Sequence, residues 1–299
     1  QDLPFTCLDH ALRYGDSLVG LTADQIAGFT WEQKPKKKKR SAGITFMSNI
    51  QAQLDKATVE RKRILDARED APYRDQEQRM ALADDALFRP RLIGDACVSS
   101  FFSEGKKKAR EERRNLLFAH VAEYLKTKDT TKRQPIADAV KALRTGEHPV
   151  PPFHWEIEFP EVFGRENGGF DAFVGNPPFI GGPQLSESFG GPAYQEWLKD
   201  VTAEAFGHAD LSAYFLRRAF SLLRPSGTFG LLATNSVSEG GTRKTGLQQI
   251  LAEGGTIYSA IRSLKWPGDA AVSVARLHVA AAGFSTRFEI SLDHKSVSC

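Results

Sequence analysis

The spacing of apolar positions changes twice along the chain. Residues 1–30 are mixed, and "LDHALRYGDSLVG" predicts a helix end or strand running into a turn at Gly15-Asp16. From 31 to 147 the pattern is polar and helical. Ile50, Leu54, Val59 and Ile64 stand among Lys, Arg, Glu and Asp, and Leu116, Leu117, Val121 and Leu125 follow "KKKAREERR". These spacings predict helices over 46–67 and 106–125, within a set of three to five helices with few strands. From 148 onward the pattern changes again. "FDAFVG", "GTFGLLATN", "GTIYSAIRSL" and "AAVSVARLHVAAAGF" are apolar strand-like runs. The helix "DLSAYFLRRAFSLLR" and a second helix near 242–253 lie between them. Such alternation predicts an α/β fold with a sheet covered on both faces. The last two strands leave little room for a helix between them, so an antiparallel pair at the sheet edge is expected. The organisation read from these shifts is 1–30, a mainly helical insertion over 31–147, and 148–299.

Composition narrows the picture only slightly. The 299 residues are 41% hydrophobic, enough to bury a sizeable core, and the formal net charge of +3 selects no partner by itself. The local runs say more. "KPKKKKR" (34–40) makes Lys36, Lys37 and Lys38 candidate phosphate contacts, with a solvated loop as the plain reading. "KKKAREERR" contains two glutamates and reads more readily as a solvated helix face. Cys7, Cys97 and Cys299 form neither a metal spacing nor a disulfide framework, so a reducing cytoplasm is expected. The seven histidines share no metal spacing, and no apolar run approaches the ~20 residues that span a bilayer. The chain opens in mid-pattern without a Met, which predicts a fragment of a longer protein.

The stretch with the most chemical content is "FDAFVGNPPFIGG". In an open α/β sheet, ligands bind beyond the carboxyl ends of strands. Here a strand ends at Gly175 and runs into Asn176, Pro177, Pro178 and Phe179. Each proline fixes φ and lacks an N–H, and Pro178 biases Pro177 to an extended shape. The corner presents two acceptors, the Asn176 side-chain oxygen and the Pro177 carbonyl, and then the flat face of Phe179. Two acceptors beside a ring suit an exocyclic amine on a planar heterocycle. Holding both N–H groups out of conjugation exposes the nitrogen lone pair for in-line attack on a methyl donor, and the ring stacks on the base for roughly 1–3 kcal/mol. A base in duplex DNA must first be flipped out to reach such a corner. The plain alternative is a surface turn, since Asn, Pro and Gly are turn formers.

These residues resemble the catalytic motif of amino-methyltransferases that act on adenine. "FHWEIEFPEVFGRENGGFDAFVGNPPFIGG" and "TNSVSEGGTRKTGLQQILAEGGTIYSAIRSLKWPGDAAVSV" are similar to the methylase portion of Eco57I-like, type IIG-style restriction-modification proteins. That family includes large methyltransferases of phage defence. The resemblance covers about 1–30 and 148–285. It implies part of a Rossmann-like sheet that binds S-adenosylmethionine (SAM), and double-stranded DNA with a flipped adenine as acceptor. Other subunits or domains of a restriction or defence system are implied partners, and a membrane is not.

By the resemblance, Asn176, Pro177, Pro178 and Phe179 form the catalytic corner. In "YGDSL", Asp16 holds the adenine amine of SAM, or is an ordinary turn residue. In "HADLSAYFLRRAF", Asp210 lines the SAM pocket, or is a plain helix N-cap. In "LKWPGDAAVSV", Trp266 contacts the other face of the flipped base, or is a core Trp at a strand end. The family's glycine-rich SAM loop has no counterpart upstream of Asp16, so weak SAM binding and inactivity of the chain alone are expected. Methyltransferases of RNA bases or protein glutamine, and a non-catalytic nucleic-acid-binding remnant, stand as alternatives.

Overall fold

The computed structural model describes residues 11–33, 40–67, 71–127, 129–181, 184–185, 191–206, 208–266, 273–283 and 290–297. The chain divides into two compact units, Gln1–Gly164 and Arg165–Cys299.

The first unit is helical. α1 (Ala23–Ala27) opens on a capping box: Thr22 Oγ1 accepts from the Gln25 N–H and Gln25 Oε1 accepts from the Thr22 N–H. Both groups would otherwise be orphaned at the helix start. Thr22→Ala is expected to lower the stability of this unit by about 1 kcal/mol, read as a lower unfolding midpoint. Then come α2 (Arg40–Leu65), α3 (Tyr73–Phe102), α4 (Lys107–Thr127) and α5 (Gln134–Thr145), with two short turns, α6 (Trp155–Glu158) and α7 (Pro160–Phe163). The expected helices over 46–67 and 106–125 are α2 and α4. α3 is the central element, packing against α2, α4 and α5 and burying Leu87, Ile93, Cys97 and Phe101. Burial pushes the Cys97 thiol well above its usual range. Among the described residues no helix is long and apolar enough to cross a membrane.

Two features hold the first unit together. Residues 15–20 run beside 151–153. The Asp16 N–H donates to the Pro151 carbonyl (2.7 Å) and the Phe153 N–H donates to the Val19 carbonyl (2.7 Å). Gly20 is required at this approach, because a Cβ there would lie 2.0 Å from the Phe153 carbonyl oxygen. The second feature is ionic. Arg91 grips Glu158 through two bonds of 2.7 Å, Arg61 lies 2.9 Å from Glu161, and Arg13 lies 3.5 Å from Glu158. In "KKKAREERR" the spacing of four turns Arg110 and Arg114 inward. Both are buried, with guanidinium carbons 3.9 Å and 4.7 Å from the Phe101 and Trp31 ring centroids. Two cations of that run are therefore packing residues.

The second unit is the sheet. Its strands are β1 (Phe170–Gly175), β2 (Leu223–Ala233), β3 (Thr256–Lys265), β4 (Ser273–Ala280), β5 (Ser291–Leu292) and β6 (Lys295–Ser296), in the order β1-β2-β4-β3-β5-β6. β1 and β2 are parallel, and β4 runs antiparallel to both of its neighbours. The connections carry α8 (Pro192–Val201), α9 (Leu211–Ser221), α10 (Gly240–Thr245) and α11 (Leu247–Ala252). The helix expected near 242–253 is thus split at Gly246. β3 and β4 form the expected antiparallel pair, but not at the edge: β4 inserts between β2 and β3, and the short β5 and β6 lie beyond β3.

The core sits on one face. Phe229, Leu231 and Ala233 of β2 and Ala275, Leu277 and Val279 of β4 pack with Leu216 and Ala219 of α9 and Ile250 of α11. The intervening positions Leu232, Arg276 and His278 are half-buried. Cover on both faces was expected. Within this unit α9 and α11 serve one face, and the period-2 burial of β2 follows from that.

Candidate active site

β1 leads the corner out at the carboxyl end of the sheet. Its register with β2 closes at Gly175 opposite Leu231. At the start of the strand, Asp171 is pinned by Arg165 (2.9 Å) and Arg224, and these two guanidinium groups hold its carboxyl below the usual range. Beyond Gly175, Pro177 is buried while Asn176, Pro178 and Phe179 are exposed. The buried ring anchors the corner and the flanking side chains are presented outward. Among the described residues, neither the Asn176 side chain nor the Pro177 carbonyl has a hydrogen-bond partner. Both acceptors are left for a ligand.

The corner is fixed from behind. The Ile180 carbonyl accepts from the Leu211 N–H (3.0 Å), which joins the segment after Phe179 to the first residue of α9. Asp210 stands at the N-cap position of that helix, yet its side chain makes no capping bond. Instead its Oδ2 accepts from Thr234 Oγ1 (3.1 Å) and from the Ser236 hydroxyl, in the turn just beyond β2. The Asp210 N–H donates to Thr242 Oγ1 (3.2 Å). The structure thus brings the corner, Asp210 and the Thr234–Ser236 turn to the carboxyl ends of two adjacent parallel strands. In α/β sheets this is where ligands bind.

Trp266 directly follows β3 and is half-buried. β3 runs in the same direction as β2, so Trp266 shares the corner's sheet edge. It is three strand spacings from β1, about 14 Å across the sheet.

Asp16 lies in the first unit, half-buried, and its Oδ1 accepts from the Leu18 N–H (3.0 Å) in a side-chain turn. Lys36, Lys37 and Lys38 lie outside the described residues.

Sequence reasoning passed over Thr234, Ser236 and Thr242. One signal was present: "TN" and the following Ser close an apolar strand run, the same position that made Asn176 a candidate. It also passed over His154. The Leu21 N–H donates to His154 Nδ1 (2.9 Å), so the ring proton sits on Nε2, which donates to buried Asp95 Oδ1 (3.2 Å). Asp95 Oδ2 accepts from Arg144 Nε (2.8 Å). This group is a structural tether within the first unit.

Residues 91–262 match the Eco57I restriction-modification methylase family. The search of curated proteins returned no match. Among solved structures the chain is similar to the type IIL restriction-modification enzyme MmeI in complex with DNA, at 20% identity and a TM-score of 0.37. That likeness covers 55% of this chain and 22% of MmeI, so the chain spans about a fifth of MmeI's length. It is also similar to a protein of Listeria monocytogenes described as a class I S-adenosylmethionine-dependent methyltransferase. There the identity is 12%, the coverage 90% of this chain and 92% of that one, and the TM-score 0.33.

Proposed function

This chain belongs to the Eco57I restriction-modification methylase family, and from that premise we propose that it serves methyl transfer to the N6 amine of adenine in DNA. The observation that carries the reading is the anchored corner: a buried Pro177, with the Asn176 side chain and the Pro177 carbonyl unengaged among the described residues, beside an exposed Phe179. In this reading each acceptor takes one N–H of the flipped adenine and Phe179 stacks on the base. The amine nitrogen is turned out of conjugation, so its lone pair points along the line of attack. Transfer would break the methyl's bond to the sulfonium sulfur as the N–C bond forms, leaving a neutral thioether, and the surplus N–H proton would pass by way of the acceptor that holds it to water. The work of the chain is positioning and electrostatics rather than proton abstraction by a strong base.

SAM, when bound, supplies the electrophilic methyl. The residues assigned to it are Asp16, as an acceptor for its adenine amine, and Asp210. The fit of Asp210 is indirect: its Oδ2 is occupied by two hydroxyls, so it shapes the turn beside the corner. Trp266 lines the same edge at the far strand, and Lys36–Lys38 are assigned to the DNA backbone. The segments 1–30 and 148–299 would then be methyltransferase core, with 31–147 inserted. A restriction-modification or phage-defence role, with further domains or subunits as partners in the cytoplasm, completes the reading.

Nucleoside mass spectrometry on DNA from cells expressing the full reading frame tests this. N6-methyladenine above the host background is the expected result. A methylated base in RNA or a methylated protein glutamine, with unmodified DNA, would replace the acceptor. No methylated product at all would favour a non-catalytic nucleic-acid-binding remnant.

A further inference from the structure

We propose that the outer face of α10, carrying Arg243 and Lys244 beside Phe206, is a phosphate-contact surface that holds the DNA backbone next to the flipped base. This rests on the DNA reading above. The inner face of α10 is fully committed. Thr242 and Thr245 are buried, and their hydroxyl oxygens accept from the Asp210 N–H (3.2 Å) and the Phe206 N–H (2.9 Å). These two bonds pin the helix to the loop that precedes α9. The residues between those threonines, Arg243 and Lys244, are exposed as a consequence.

The path from this face to the corner is short. Arg243 follows Thr242, Thr242 holds Asp210, and the next residue, Leu211, donates to the carbonyl of Ile180, the neighbour of Phe179. Lys244 Nζ lies 5.2 Å from the centroid of the Phe206 ring, which is 42% exposed. Among the described residues no carboxylate lies within ion-pair distance of either cation. Glu239, the nearest acid in sequence, contributes its main-chain carbonyl, which accepts from the Arg243 N–H (2.9 Å).

A solvated pair of cations is the common state of such residues on a surface. Here, among the described residues, they stand without counter-charge at the carboxyl end of β2, beside an exposed ring. A polyanion with apolar sugar faces satisfies both features, the phosphates meeting the cations and the sugars covering the ring. Contacts of this type carry affinity without sequence information, which suits a surface flanking a base that another element reads.

The test is the salt dependence of binding to a fluorescent duplex of mixed sequence, with the full chain. Each phosphate contact adds about 0.9 to the slope of log affinity against log salt. The double variant Arg243→Ala, Lys244→Ala is expected to lower the slope by about 1.8, and the charge-conserving double variant Arg243→Lys, Lys244→Arg to retain it. Lys295→Ala, on the strand at the opposite end of the sheet from β1, is expected to leave the slope unchanged. An unaltered slope in the alanine double variant, in protein with a normal melting curve, overturns the proposal. So does an equal fall per charge for Lys295→Ala. A wild-type chain without salt-dependent DNA affinity overturns the DNA reading itself, together with this inference.

Discussion

Asn176→Ala is expected to abolish methyl transfer while leaving the protein folded. On the proposed reading the Asn176 oxygen holds one of the two amine protons in the transition state. Removing one oriented group of this kind costs about 10²–10³-fold in turnover. The fold has little stake in the side chain. Asn176 is exposed and has no hydrogen-bond partner among the described residues, so the melting midpoint should change by no more than about 0.5 kcal/mol in stability terms. The measurement is transfer of a labelled methyl from SAM to duplex DNA, beside a thermal melt of the same preparation. Asn176→Asp keeps an acceptor oxygen and should retain more activity than Ala. Wild-type turnover in the alanine variant would remove Asn176 from the mechanism. Phe179→Ala differs in kind. Stacking acts on bound substrate as well as on the transition state, so a raised KM is its main expected effect.

Asp95→Ala should produce the largest loss of stability. The carboxylate is 3% exposed and receives two charge-bearing or ring partners, His154 Nε2 and Arg144 Nε. His154 is 1% exposed, and its other nitrogen is already taken by the Leu21 N–H. Removing Asp95 strands a ring N–H in a dry site and leaves Arg144 without its partner. The cost is about 3 kcal/mol, the low end for a buried pair, because Arg144 is 36% exposed and rehydrates. For a unit of this size that is a fall in melting temperature of roughly 10 °C. Asp95→Asn keeps an acceptor for the ring proton and should recover part of the loss. A change within about 1 kcal/mol for the alanine variant would show that water replaces the carboxylate and that the tether is not structural.

Features with local causes were legible in the sequence. The strand before Asn176 is an apolar run with one charge, Asp171, and the two prolines that make the corner rigid act through their own rings. Helical periodicity identified α2 and α4 for the same reason. The residues around the corner have non-local causes. Asp210 had the form of an N-cap, and its actual partners, Thr234 and Ser236, lie 24 and 26 residues further along the chain, beyond α9 and β2. Only the parallel pairing of β1 with β2 brings those three segments to one edge. The insertion of β4 between β2 and β3 is likewise invisible to periodicity, since an antiparallel pair has the same alternation at an edge as inside. Arg110 and Arg114 looked like the rest of a charged run because their burial depends on Phe101 and Trp31 coming from other segments.

The strand connections also set an order of assembly. β3 and β4 are neighbours in sequence, so their antiparallel ladder closes over a short loop at little entropic cost. β1 reaches β2 only after the chain has passed through α8 and α9, and a parallel ladder of such long separation is slow to nucleate. β2 reaches β4 over a comparable separation, Leu231 pairing with Leu277 as Gly175 pairs with Leu231, so only the β3–β4 hairpin can form ahead of the long-range ladders. The Asn176 corner, carried at the end of β1, therefore takes its native setting only when a non-local ladder closes, later than the local β3–β4 hairpin.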